Sequence, residues 1–177
     1  IGGKTSIFNV YGGSSDWNYA SRSSNSMKFS TTQSGITLDS IGIVDGSSTN
    51  TNAFDEFEVT ISTKFFGSDL SVRYADDVNS DISYWGVAGS TDLGPLNMSS
   101  SYTIYDAATD KYGLEVTASY SIFSVGYGDK EGTGLAYTAG VAHNLNDSLS
   151  VYAEGEMKDL DSGSDTNSWS IGSKFTF

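Results

Sequence analysis

The feature that most constrains this chain is an alternation of apolar and polar residues, which is clearest at its C-terminal end. In 169–177, Trp169, Ile171, Phe175 and Phe177 stand at odd positions, separated by serine, glycine, lysine and threonine residues. Successive side chains of a β-strand point to opposite faces, so this segment separates an apolar face from a polar one. The same period recurs along almost the whole sequence, which predicts an all-β chain of amphipathic strands.

Alternation and the intervening turn residues predict about twelve strands in one domain that spans 1–177. We place the strands at 4–11, 23–31, 36–45, 54–66, 70–76, 82–92, 96–105, 111–122, 123–129, 135–145, 149–158 and 168–177. Most of them run for about 9–11 residues, the length that a tilted strand needs to cross a bilayer.

The segment 36–45 changes phase within one predicted strand. Ile36 and Leu38 stand at even positions, whereas Ile41 and Ile43 stand at odd ones. One extra residue in the strand would return these side chains to one face, so we predict a β-bulge near Asp39–Ser40.

The connections between the predicted strands alternate in length. The short ones lie near 33–35, 67–69, 94–95, 123 and 146–148, and the longer ones are 12–22, 46–53, 77–81, 106–110, 130–134 and 159–167. Outer-membrane barrels have short periplasmic turns and longer outer loops. An even number of strands puts both termini on the periplasmic side, and most of the 22 acidic residues then lie on the opposite rim.

The orientation of the two faces distinguishes a membrane barrel from a soluble one. Apolar faces turned inward would have to fill a wide lumen with small aliphatic side chains and single aromatic rings, which would leave voids. Apolar faces turned outward would contact lipid, and closure of the barrel would pair every backbone polar group. We therefore predict a transmembrane antiparallel up-and-down β-barrel that crosses the bacterial outer membrane many times, in contact with lipid and lipopolysaccharide.

In that orientation the polar faces line a lumen, and water there would solvate their charged groups. The candidate pore-lining residues are Lys28, Glu58, Lys64, Arg73, Tyr105, Glu115, Tyr152, Glu154, Glu156, Lys158 and Lys174. Charged pore linings set the field along a path for ions. We expect Lys174 to neighbour Lys158, and the two tyrosines to fill part of a narrow lumen.

Aromatic residues fall where lipid headgroups would lie and form two predicted girdles. The periplasmic girdle comprises Phe29, Phe65, Phe175 and Phe177, and the outer girdle comprises Phe57, Trp85, Tyr112, Tyr137 and Trp169. The alternative is that these rings are core residues of a soluble sandwich or jelly roll.

Composition excludes several other classes of protein. The formal net charge of −13 argues against nucleic acid as a partner, because a phosphate backbone requires a basic face. The absence of cysteine excludes disulfides, zinc fingers and a cysteine nucleophile. No apolar run reaches the roughly 18 residues of a transmembrane helix. The chain starts without the pattern of a signal peptide, so we expect a mature or trimmed form.

Three groups of residues could carry chemistry, and each has a simpler explanation. His143 would be an interfacial polar residue, because its parity and strand direction put it near the periplasmic leaflet rather than beside a nucleophilic serine. Glu115, Glu154 and Glu156 would belong to a mixed-charge wall rather than an acid–base site. The acidic run 159–165 lacks the spacing of an EF-hand loop. We therefore expect no enzymatic activity, metal or cofactor.

Segments at both ends resemble outer-membrane proteins. The run 169–177, which ends in Phe177, resembles their closing strand, whose terminal aromatic residue is recognised by the barrel-insertion machinery. The stretch 135–151, together with the Lys-Phe-Thr-Phe ending, resembles the last hairpins of the general porins of Gram-negative bacteria. The segments 16–23 and 33–38 resemble the first hairpin of alphaproteobacterial porins.

The resemblance implies a porin, places Arg22 on the barrel wall as a further pore-lining residue, and implies that a homo-oligomer is possible. The middle of the chain departs from the porin pattern, because general porins are longer and fold one long loop into the lumen. No predicted loop here exceeds about 11 residues.

The function predicted from the sequence is passive diffusion of ions and small hydrophilic solutes through an open barrel. Acidic residues on the rim should raise the local cation concentration, which predicts a weak cation preference. One alternative is a non-conducting structural or adhesive barrel that works through its loops. Another is a channel for a specific solute, although an acidic sugar would require a basic ladder, and the inward basic residues are interleaved with acids.

Overall fold

The computed structural model describes residues 26–43, 56–77, 82–106 and 111–176. These residues form one eleven-stranded sheet in which every strand pairs with its neighbours in sequence. The strands are β1 (Ser26–Gln33), β2 (Ile36–Ile43), β3 (Glu56–Phe65), β4 (Ser68–Asp77), β5 (Ile82–Leu93), β6 (Leu96–Asp106), β7 (Lys111–Tyr120), β8 (Phe123–Lys130), β9 (Gly134–Asn146), β10 (Leu149–Leu160) and β11 (Thr166–Phe175).

All pairs of neighbouring strands are antiparallel, which confirms the predicted all-β up-and-down fold. Eleven of the predicted strands correspond to β1–β11, and the predicted strand 4–11 lies outside the described residues. Within the described residues, β1 pairs only with β2 and β11 only with β10, so this part of the sheet is not closed into a barrel. No helix among these residues is long and apolar enough to cross a bilayer.

Two-residue turns join alternate pairs of strands at one end of the sheet, which we call the turn rim. Ser34 and Gly35 have φ of 52° and 80°, and Phe66 and Gly67 have φ of 48° and 82°. Positive φ at both central residues is the pattern of a type I′ turn, whose twist matches that of the flanking strands. The longer connections lie at the opposite end, which we call the loop rim. This separation of short and long connections agrees with the sequence prediction.

The predicted bulge near Asp39–Ser40 is wrong. Strand β2 pairs with both β1 and β3 in an unbroken register. Ile41 is therefore opposite Glu58, and Ile43 lies on the same face as both and is buried. The phase change in the sequence reflects two isoleucines on the polar face rather than an inserted residue.

The two faces of the sheet differ in chemistry and in exposure. One face, which we call the outer face, exposes large apolar side chains such as Trp169, which is 77% exposed. The opposite, inner face carries buried polar and charged residues, among them Thr117 at 2% and Glu115 at 3% exposure. A soluble protein buries its apolar side chains instead. The sheet therefore has the inverted pattern of a structure surrounded by an apolar medium.

Candidate functional site: the inner face

The register of the strands places every described residue of the predicted pore lining on the inner face. Directly paired residues share a face, so the face of each residue follows from its partner. All lysines and arginines among the described residues lie on this face, namely Lys28, Lys64, Arg73, Lys111, Lys130, Lys158 and Lys174. Acidic residues interleave with them at Asp39, Glu56, Glu58, Asp69, Asp92, Glu115, Glu154 and Glu156. Arg22 lies outside the described residues.

Glu58 on β3 and Arg73 on β4 form a buried ion pair on the inner face. Arg73 Nη2 donates a hydrogen bond to Glu58 Oε2, and Thr60 Oγ1 donates to Glu58 Oε1 at 3.3 Å. The two charged side chains are only 8% and 13% exposed. An opposite charge offsets part of the cost of burying each group, so this contact joins β3 to β4 on the inner face.

Two further ion pairs lie nearer the rims. Lys64 Nζ is 2.9 Å from Asp69 Oδ1 at the turn rim, and Lys158 Nζ is 2.9 Å from Glu156 Oε1 towards the loop rim. These contacts make the inner face a wall of mixed charge, as the sequence predicts. Local pairing leaves little net charge at either position.

Lys174 does not neighbour Lys158, so that part of the prediction is wrong. Lys174 is opposite Ser150 near the turn rim, whereas Lys158 is opposite Thr166 near the loop rim. The antiparallel register of the β10–β11 hairpin determines which residues are opposite each other. It places the two lysines at opposite ends of the hairpin.

The carboxylates that could have formed an acid–base cluster are spread over the inner face. Glu154 and Glu156 lie together on β10, but Glu115 on β7 is separated from them by β8 and β9. In the part of the chain that the structure describes, no group of three histidine or acidic side chains is arranged to hold a metal ion.

Glycines stand opposite several bulky inner-face residues. Arg73 is opposite Gly86, Glu115 is opposite Gly128, and Glu154 is opposite Gly140. Such pairing lets a long side chain lie against the wall over the neighbouring strand.

The Tyr152 ring shows this arrangement most directly, because it covers Gly172 on β11. A β-carbon at Gly172 would lie only 2.6 Å from Tyr152 Cζ. The ring therefore lies along the wall at this position.

Small hydroxyl side chains cover the wall between the charged regions. Ser99 and Thr117 share a hydrogen bond of 2.6 Å on the inner face, and Ser101 and Thr138 are also buried there. Hydroxyl groups both donate and accept hydrogen bonds, so they can satisfy one another or water. This part of the wall is polar, and Ser101 and Thr138 are directly opposite Glu115 and Glu156.

Near the loop rim, the sequence analysis assigned Tyr105 to the inner face but missed its neighbours Tyr84, Lys111 and Lys130. We call these four residues the Tyr–Lys ledge. The rings of Tyr84 and Tyr105 are edge to face with centroids 5.1 Å apart, and Lys130 Nζ is 5.8 Å from the Tyr105 centroid. Lys111 is directly opposite Tyr105. The residue numbers could have identified both lysines. Lys111 is odd-numbered like Glu115 on the same strand, and Lys130 is even-numbered like the other inward residues of β8.

The described residues of the predicted girdles lie on the outer face. Phe65 and Phe175 lie at the turn rim, where Tyr120 and Phe123 join them. Phe29 is different, because it is opposite Ser40 in the middle of β1 rather than at the end of the strand. Phe177 lies outside the described residues.

The second girdle lies nearer the loop rim and contains more rings than predicted. Phe57 and Trp169 belong to this band, and three cross-strand pairs add further rings: Tyr74–Trp85 with centroids 4.6 Å apart, Tyr102–Tyr112 at 6.1 Å and Tyr127–Tyr137 at 5.5 Å. Two hydroxyls are bound by acids closer to the rim, Tyr74 to Asp76 at 3.1 Å and Tyr112 to Asp129 at 3.2 Å. Rings with a hydrated polar tip are typical of a membrane interface.

Two positions that the sequence analysis discounted have ordinary surroundings. His143 is exposed on the outer face and is opposite Val151, towards the turn rim. In the acidic loop, Leu160 N donates to Asp165 Oδ1 at 3.3 Å, so Asp165 helps to order the loop.

Comparisons with known proteins place this geometry in a structural class. No protein-family model matches the sequence, and no characterised protein matches it by sequence. Among solved structures, the chain is similar to OmpT (in-vitro folded), an outer membrane protein of Vibrio cholerae, with a TM-score of 0.61 and 14% identity over 85% of this chain. It is similar to a porin with a TM-score of 0.59 and 18% identity, also over 85% of this chain.

The chain covers 63% of that OmpT chain and 60% of the porin chain, so it spans about three fifths of the length of either protein. At these identities the likeness concerns the fold. Eleven consecutive antiparallel strands, an apolar outer face and these two structural neighbours lead to one conclusion: the chain has the up-and-down fold of outer-membrane β-barrel proteins.

Proposed function

We propose that this protein is a porin of the bacterial outer membrane, which lets ions and small hydrophilic solutes diffuse through a water-filled lumen. The observation that carries the proposal is the inverted sheet, in which all described lysines and arginines lie on the inner face and large apolar side chains cover the outer one. Water solvates charged groups, and lipid accepts apolar ones. The proposal requires no catalytic residue, metal or cofactor.

Placement in the membrane follows from the outer face. The two aromatic bands would lie at the levels of the lipid headgroups, with lipopolysaccharide around the loop rim. Phe177 would be the residue that the barrel-insertion machinery recognises, and the predicted strand 4–11 would join β1 to β11 and close the barrel.

The proposed pore has a weak preference for cations. The chain carries a formal net charge of −13, although lysines and acids on the described inner face nearly balance. Much of the negative charge therefore lies towards the loops, where it would concentrate cations at the pore mouth.

The test is the reversal potential of the refolded protein in a planar bilayer under a KCl gradient. We expect a potential that favours potassium, and a decrease in that preference in the double variant E154Q/E156Q, which removes two inner-face charges. The matched control is D159N, because Asp159 lies on the same strand but on the outer face. A reversal potential that favours chloride in the unmodified protein would contradict the proposed selectivity.

A non-conducting structural or adhesive barrel is the second candidate, and the burial of the inner face favours it. Arg73, Glu115 and Glu154 are all less than a tenth exposed, which is compatible with a lumen filled by side chains. Complete absence of conductance from protein that is folded and inserted would support this candidate and exclude the porin.

A further inference from the structure

The Tyr–Lys ledge brings an aromatic platform and two ammonium groups to one place on the inner face. Tyr105 on β6 and Lys130 on β8 are separated by β7, but Gly113 stands between them without a side chain. A β-carbon at Gly113 would lie 3.7 Å from the Tyr105 hydroxyl, so the ring extends towards Lys130 over this glycine. The sequence therefore leaves a gap in the wall at the point where ring and ammonium approach each other.

The ledge is accessible and has polar surroundings. Lys111 is exposed, and Tyr84, Tyr105 and Lys130 are each partly exposed. A small recess of about 10 Å³ beside Tyr105 is lined by Ser101, Thr103, Glu115 and Asp129 among others, so its lining includes hydroxyl groups and two acidic residues.

This combination of groups suits one class of solute. A tyrosine ring stacks against an aromatic ring or the C–H face of a sugar, and a nearby ammonium forms a charge-assisted hydrogen bond with a carboxylate or phosphate. The arrangement requires a solute that offers a ring and a negative charge at the same time.

We propose that the Tyr–Lys ledge is a binding site for small ring-shaped solutes that carry a carboxylate or phosphate, such as uronic acids. The inference rests on the proposed function, since it requires water and solute in the lumen, and it adds a binding step that simple diffusion does not have. The ledge is one local site and not the basic ladder that a channel dedicated to acidic sugars would require. It is compatible with a weak cation preference, because small ions respond to the summed field of the pore.

Saturation-transfer NMR on the detergent-refolded protein tests binding without relying on conduction. The probes are glucuronate, which has a ring and a charge, glucose, which has only the ring, and gluconate, which has only the charge. We expect glucuronate to bind about fivefold more tightly than either of the others, since an exposed ion pair and a ring contact each contribute about 1 kcal/mol. The variants Y105L and K130Q should each remove this advantage.

The control variant is K174Q, which removes an exposed inner-face lysine at the opposite rim and should leave glucuronate binding unchanged. The variant Y105F keeps the ring and should retain the preference for glucuronate, which provides a second test in case Y105L fails to fold. Equal binding of the three probes would overturn the proposal, as would an equal loss in K174Q and K130Q. If the protein binds glucuronate but does not conduct in bilayers, the proposed porin function is wrong and the binding site stands. If it conducts but shows no preference for glucuronate, the binding site is wrong and the porin function stands.

Discussion

The two faces of the sheet satisfy opposite requirements with the same backbone. On the inner face, the buried Arg73 guanidinium is paired with Glu58. On the outer face, Val87 and Val72 are opposite each other and about half exposed, without a lysine or arginine on that face in the described strands. The difference shows that polarity here depends on which medium a face meets rather than on burial within the protein.

The largest effect should follow the loss of one partner from the buried ion pair. The variant R73M leaves the Glu58 carboxylate buried without its guanidinium, which should lower the free energy of unfolding by about 3–5 kcal/mol. The matched control is K64M, which breaks the more exposed Lys64–Asp69 pair and should cost less than about 1 kcal/mol. Urea titration of the refolded protein in lipid vesicles measures both values, and equal costs would mean that the inner face is fully hydrated at Arg73.

A charge placed on the outer face should cost nearly as much. In V87K an ammonium would face lipid near the middle of β5, which destabilises a membrane barrel by about 2–4 kcal/mol. The neighbouring variant A88K places the same group on the inner face and should change stability by less than about 1 kcal/mol. The same titration compares them, and a larger cost for A88K would show that the two faces have been assigned the wrong way round.

A smaller effect should distinguish glycines on the two faces. In G172A the added methyl group collides with the Tyr152 ring, which should cost about 1–3 kcal/mol unless the ring moves. The control G155A lies on the outer face, where the nearest atom would be the Ser168 carbonyl oxygen at 3.7 Å, and it should be almost neutral.

Restoration of stability in the double variant Y152A/G172A would confirm that the collision is the cause. If G172A alone were neutral, the Tyr152 ring would not be held against the wall.

Alternation was sufficient to predict the strands, because a half-buried strand must place its apolar side chains at every second position. It was not sufficient for β2, where Ile41 and Ile43 lie on the inner face near the loop rim. A change of phase in the alternation shows where apolar residues move to the other parity. It does not show whether an extra residue has been inserted into the strand or whether apolar side chains lie on the polar face. A bulge and a tolerated isoleucine look the same in the sequence.

The candidate site was only partly predictable for a related reason. The face of Glu115 or Glu154 follows from parity alone, whereas the partners of Lys158 and Lys174 depend on the register set by pairing. The sequence analysis did not assign Lys130 to a strand, because the glycines that follow it interrupt the alternating pattern. In the structure, Lys130 is the last residue of β8. The Tyr–Lys ledge joins four strands, so no single segment of sequence contains it.

The confinement of positive charge to the inner face has a consequence for how the protein would be anchored. With no lysine or arginine on the outer face of the described strands, direct attraction to lipid phosphates is weak there. Aromatic rings and their hydroxyls would then determine how deeply the barrel sits, through packing and hydrogen bonding that salt screens little. The depth of insertion should therefore stay nearly constant as ionic strength changes.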